Sequence, residues 1–187
     1  MEEAMIKKVM PHSPEAEQSV IGSMIIDAET ITAVSEILIS EDFYNSGYRV
    51  LYECMLELYE AGKPTDLITL QDKLREKNVP AEFSSVEYLS NIIAAVPTSA
   101  NARYYAEIVK NKAILRKLIR TTEGIANECY IDKEEIDTLL ETTEKQIFDV
   151  VQNRTTSDFT PIKEIAINSF KSIQACLLYT SDAADDK

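Results

Sequence analysis

Apolar residues recur along most of this chain at intervals of three and four, the spacing of helices with one buried face, and turn residues punctuate the pattern. The first such segment runs from Pro11 to Asp27. Ser13 is placed to cap it, and Pro14 takes the first helical position, where a missing N–H costs nothing. Glu15 and Glu17 put negative charge at the positive end of the helix dipole, and Ala16, Val20, Met24 and Ile25 share one face. A short second helix is predicted from Glu29 to Ile39 through Ile31, Val34, Ile37 and Leu38, followed by a connector whose Phe43 and Tyr44 plug the core. A third runs from Ser46 to Ala61 with Val50, Leu51, Cys54, Met55 and Leu58 inward; Gly62 is its C-cap and Pro64 blocks continuation. Asp66 caps a fourth, carrying Leu67, Leu70 and Leu74 and ending near Asn78. Ser84 and Glu87 form a capping box that opens a fifth, with Val86, Leu89, Ile92, Ile93 and Val96, before Pro97 ends it.

The pattern then lengthens. From Ala100 to Tyr130, capped by Thr98 or Ser99, residues Tyr104, Ile108, Asn111, Leu115, Leu118, Thr122, Ile125 and Cys129 alternate steps of four and three, a coiled-coil seam with two polar interruptions. A second capping box, Asp132 to Glu135, starts a helix with Ile136, Leu140, Thr143, Ile147 and Val150 on the same period, so the two helices should fold back as an antiparallel hairpin. Residues 154–160 are polar and aperiodic, a linker. Thr160 and Pro161 begin a last amphipathic helix, with Ile162, Ile165, Ala166, Ser169 and Ile173 on a face that nothing later in the chain covers, so it should dock on another part of this chain, another copy or a domain absent here. Residues 175–187 break that face and end small and acidic; we treat them as a non-native or disordered tail. The expected architecture is all-α: a flexible stretch (1–12), a globular bundle of five or six short helices (13–99), a helical hairpin (100–153), the linker (154–160), a linker helix (161–174) and the tail.

Composition narrows the function. A net charge of −13 suits a basic protein partner and argues against a nucleic-acid binder, which needs cations for phosphates. The cysteines, Cys54, Cys129 and Cys176, are far apart and form no metal-ligand spacing, as expected of thiols in a reducing compartment. The first dozen residues lack the apolar core of a signal peptide, and no apolar run approaches the ~18 residues of a membrane span, so a cytoplasmic protein without a membrane role is expected.

Several stretches together resemble DnaB-type replicative helicases. They are His12-Ser13-Pro14-Glu15-Ala16-Glu17-Gln18-Ser19-Val20-Ile21-Gly22, Glu41-Asp42-Phe43-Tyr44, Pro64 to Leu70, Val96 to Asn101, Tyr105 to Val109, Leu139 to Phe148, and Phe159 to Lys163, in family order over residues 11–174. The resemblance implies a collar domain whose hairpins pair between subunits of a hexameric ring, a three-fold arrangement of dimers. It implies a linker helix that packs on the neighbouring subunit's ATPase domain through Ile162, Ile165, Ala166 and Ile173, and a collar where primase, and possibly a helicase loader, docks. It also marks a departure. No GxxxxGK[ST] loop occurs, and the four glycines (Gly22, Gly47, Gly62, Gly124) are isolated, so these residues have no place to cradle ATP phosphates. ATP and magnesium, and with them the motor, are expected only of an ATPase domain beyond this fragment, which by itself is not an enzyme and needs no cofactor.

Candidate chemistry is sparse. His12, the only histidine, is read as a helix-flanking residue, and the carboxylates Glu15, Glu17, Glu134 and Glu135 as dipole partners rather than acid–base pairs. The basic run Arg103, Lys110, Lys112, Arg116, Lys117 and Arg120 is read as a solvated face or one meeting another subunit's acidic patch, in preference to a DNA track. Asn111 either sets seam register or lies at the rim. For subunit contact the candidates are Tyr105, Ile108, Val109, Leu115, Leu118, Ile119, Leu140 and Ile147. The competing reading is a stand-alone helical adaptor unconnected with replication.

Overall fold

The computed structural model describes residues 9–131 and 135–152; the expected linker, linker helix and tail (154–187) lie outside that range, as does most of the Asp132–Glu135 capping box. The described residues are all-helical: α1 (Pro14–Ile26), α2 (Glu29–Ser35), α3 (Ser46–Glu60), α4 (Leu67–Glu76), α5 (Ala81–Ser84), α6 (Val86–Ala94), α7 (Ala102–Ile131) and α8 (Ile136–Gln152), with short 3-10 turns at Ser40–Asp42 and Ser99–Asn101.

Helix α1 is the hub. It packs against α2, α3, α6 and α7, and its sequence suits a helix covered on most sides, since Val20, Ile21 and Met24 are each 0 % exposed and Gly22 and Ser23 are buried too. The single apolar face expected for it is therefore too narrow. Gly22 admits α6: a Cβ there would lie 2.4 Å from Val96 Cγ2 and 3.0 Å from the Ile92 carbonyl oxygen. Around α1 the core gathers Ile31, Leu38, Phe43, Leu51, Tyr52, Leu70, Leu74, Leu89 and Ile92. Tyr52 enters this core by donating its hydroxyl to the Leu38 carbonyl at 2.6 Å, and burial pushes its phenol up to about 12.

Several local signals act as expected. Asp66 accepts from the N–H groups of Ile68 and Thr69 at 3.0 and 2.9 Å, and Thr69 accepts from the Asp66 N–H in return. Gly62 takes the left-handed conformation (φ 65°) that ends α3. Thr98 accepts from the Ala100 N–H at the turn leading into α7. Others differ. Ser13 makes no side-chain cap bond. The cap of α6 is Ser85, accepting from the Tyr88 N–H at 3.2 Å, because Ser84 ends the short helix α5 instead. Helix α2 stops at Ser35, four residues before the expected end, and Asn45 caps α3 by accepting from the Gly47 N–H at 2.8 Å.

Candidate functional site: an anchored helical hairpin

The long helix α7 has two halves with different surroundings. In the first, Ala102, Ala106, Val109, Ala113 and Arg116 are buried, at steps of four and three. This inner stripe is offset from the expected seam, whose Tyr104 is 64 % and Leu115 44 % exposed. The inward face is chosen by small size: three alanines let α7 lie against α1, where larger residues would hold the backbones apart. The first half of α7 thus belongs to the core of the globular body. Val109, a candidate for subunit contact, is 1 % exposed within this chain's own core and offers no surface to a second chain.

The stripe ends at a polar knot. Arg116 is 3 % exposed and donates to the backbone oxygens of Pro11 at 2.7 Å and Asp42 at 2.5 Å, with its guanidinium 5.7 Å from the Tyr44 ring centre. His12 stacks on the other partner of that contact, its ring 4.3 Å from Tyr44, and its Nδ1 lies 2.7 Å from the Met10 carbonyl oxygen. Glu17, 2 % exposed, accepts the N–H groups of Tyr44 and Asn45 at 2.9 and 3.1 Å. Lys110 meets Asp42 at 2.9 Å, and Arg49 donates to the Phe43 carbonyl at 2.7 Å. Desolvation lowers the Arg116 pKa while the charges of Glu17 and Asp42 oppose that shift. Lys110 and Arg116 are therefore neither a solvated face nor matched to another subunit; their acidic partners are in this chain. Glu17 is likewise more than a dipole partner. Sequence spacing could not reveal these pairings, because the partners stand 27 to 105 residues apart.

Beyond Arg116 no residue of α7 is buried, although the helix continues for 15 residues, about 22 Å. Helix α8 packs back along it, and the four-residue connection makes the pair antiparallel. The expected seam of α8 is covered at Thr143, Ile147 and Val150 and open at Ile136 and Leu140. Leu139, Thr142, Thr143, Gln146, Ile147 and Val150 are the more covered positions of α8, whereas Ile136 and Leu140 are 65 % and 60 % exposed. With Phe148 and Val151 (55 % and 58 %), these two form an apolar stripe on the outside of α8. On α7, Leu115 and Leu118 are exposed and Asn111 is exposed at the rim, while Tyr105, Ile108, Ile119 and Ile147 are partly buried. Thr122 turns its hydroxyl back to the carbonyls of Leu118 and Ile119. Among the described residues no cluster of three or more histidine, cysteine or carboxylate side chains is arranged to hold a metal, and no helix is long and apolar enough to cross a membrane.

This all-helical fold matches solved N-terminal domains of replicative helicases. The crystal structure of the N-terminal domain of DnaB helicase from Mycobacterium tuberculosis superposes with a TM-score of 0.72 at 32% identity, covering 75% of this chain and 99% of that one. The N-terminal domain of DnaB helicase from Helicobacter pylori, described together with its interactions with primase, superposes at 0.54 with 27% identity, covering 62% of this chain and 90% of that one. The family model for the DnaB-like helicase N terminal domain matches residues 9–111. This chain belongs to that family. It is 38% identical over 174 residues to the replicative DNA helicase DnaB of Geobacillus stearothermophilus, covering 93% of this chain but 38% of that protein's length. The matched region is the N-terminal part of these helicases and does not include their ATPase domain.

Proposed function

We propose that this chain is the association module of a replicative DNA helicase in the cytoplasm: its hairpin pairs with a second copy, and pairs assemble into the collar of a hexameric ring. The observation that carries this reading is the stripe Ile136, Leu140, Phe148 and Val151, together with Leu115 and Leu118, on a hairpin anchored to its body by Arg116. An apolar stripe of that extent on a two-helix projection is better covered than solvated. Primase docks on the collar, as the Helicobacter pylori relative's description of interactions with primase supports, and a loader is a further partner. The whole protein, with an ATPase domain that binds ATP and magnesium, unwinds duplex DNA, while the collar binds little DNA directly. The segment bearing Ile162, Ile165, Ala166 and Ile173 packs on the neighbouring subunit's ATPase domain.

Sedimentation velocity tests the pairing. The chain should form concentration-dependent dimers, and Leu118→Asp with Leu140→Asp should leave a folded monomer. A wild-type monomer at high concentration, or a variant that still dimerises, sinks the reading. Capture of primase's helicase-binding domain separates this role from that of a helical adaptor outside replication.

A further inference from the structure

The hairpin accounts for one exposed apolar surface. A second lies on the opposite character of chain, where α2 and α3 leave an open groove of about 420 Å³. Its floor is Leu38, Tyr52 and Leu56; Ile39 and Tyr59 stand at its edges, 57 % and 43 % exposed. Thr32 and Tyr59 share a hydrogen bond of 2.8 Å between their hydroxyls across it. Large side chains left this exposed beside a ready apolar floor are what a helix-in-groove site presents to the apolar face of a partner helix.

Charge selects the occupant. From Val9 to Gly62 the chain holds ten carboxylates (Glu15, Glu17, Asp27, Glu29, Glu36, Glu41, Asp42, Glu53, Glu57, Glu60) and one Lys or Arg, Arg49. Arg49 is engaged with the Phe43 carbonyl, Asp42 with Lys110, Glu57 with Lys73 and Lys77, and Glu36 reaches Arg103 at 3.9 Å. Glu60 lines the groove and Glu53 stands two helical turns before it on α3; both are exposed and meet no cation among the described residues. Nucleic acid and anionic membrane surfaces are repelled by such a rim.

We infer that the α2–α3 groove is a docking site for an amphipathic helix of a partner protein, with its apolar face on Leu56, Ile39 and Tyr59 and its lysines or arginines against Glu53 and Glu60. The site is separate from the hairpin stripe and does not depend on pairing.

The test uses the full 187-residue chain, isotopically labelled. The probe is a synthetic leucine–lysine peptide of about four helical turns with one apolar face. A second peptide has the same composition permuted so that no face forms. The faced peptide should shift the amide resonances of Thr32, Ile39, Leu56 and Tyr59. Ile39→Ser with Tyr59→Ser, and separately Glu53→Lys with Glu60→Lys, should each weaken it by about tenfold, as loss of about 1.4 kcal/mol would. All four side chains are exposed, so helicity by circular dichroism and dimerisation should hold. Equal binding of the permuted peptide, shifts confined to the hairpin, or undiminished binding by both variants overturns the inference. So does retention of the chain on anionic vesicles that competes with the peptide, or loss of dimers in the groove variants.

Discussion

The two halves of α7 belong to one continuous helix and obey different rules. Up to Arg116 its inward positions are mostly alanine and pack on α1, and Lys110 and Arg116 are committed to named partners. Past Arg116 none of its residues is buried: Leu118, Tyr130 and Ile131 stand exposed, Ile119 and Ile125 are half-covered, and α8 packs on it. The difference teaches that large apolar residues do not by themselves mark the core. In this chain the core face of α7 is the small one, and large residues such as Tyr104, Leu115 and Leu118 stand exposed.

The strongest way to break this comparison is at the boundary. Arg116→Ala removes the cation that ties Pro11 and Asp42 to α7 and leaves the backbone oxygens of both without that donor. Leaving a buried acceptor unpaired costs about 1–3 kcal/mol, and two are left here. Thermal unfolding followed by circular dichroism should show the whole body destabilised. A loss confined to the hairpin, or no loss, contradicts the anchoring role.

A smaller effect is expected inside the body. Gly22→Ala forces a methyl against Val96 and the Ile92 carbonyl, an overpacking that costs about 1–3 kcal/mol by urea titration. By contrast, Leu118→Asp with Leu140→Asp should change the stability of the isolated monomer by under about 1 kcal/mol, two exposed positions at about 0.5 each. If that pair costs more than Gly22→Ala, the division between a packed body and a solvent-facing hairpin fails.

The weakest effect sharpens the body further, at the α3–α4 contact. Hydrogen bonds from Lys77 and then Lys73 hold the Glu57 carboxyl below its usual range. A depressed folded pKa stabilises the fold above the ordinary value of 4.5 and loses that contribution as pH falls through the folded value. Glu57→Gln should therefore lower neutral stability slightly, as an exposed pair warrants, leave stability below the folded pKa unchanged, and so flatten the acid limb. An acid limb identical to wild type would count against the pair.

By itself the sequence determined the helices, most of their ends, and the family. Asp66, Gly62 and Thr98 act on residues two to four positions away, so their effects are local and written in short windows. It also marked the stretches from His12, from Glu41 and from Tyr105 without saying why they go together. Only the tertiary structure decided that. Glu17 meets Tyr44 across 27 residues of chain and Arg116 meets Asp42 and Pro11 across 74 and 105, and which face of α7 turns inward depends on how closely α1 can approach. Helix periodicity says that a face will be buried; the choice between an alanine face and a leucine face is made by the neighbour it packs against.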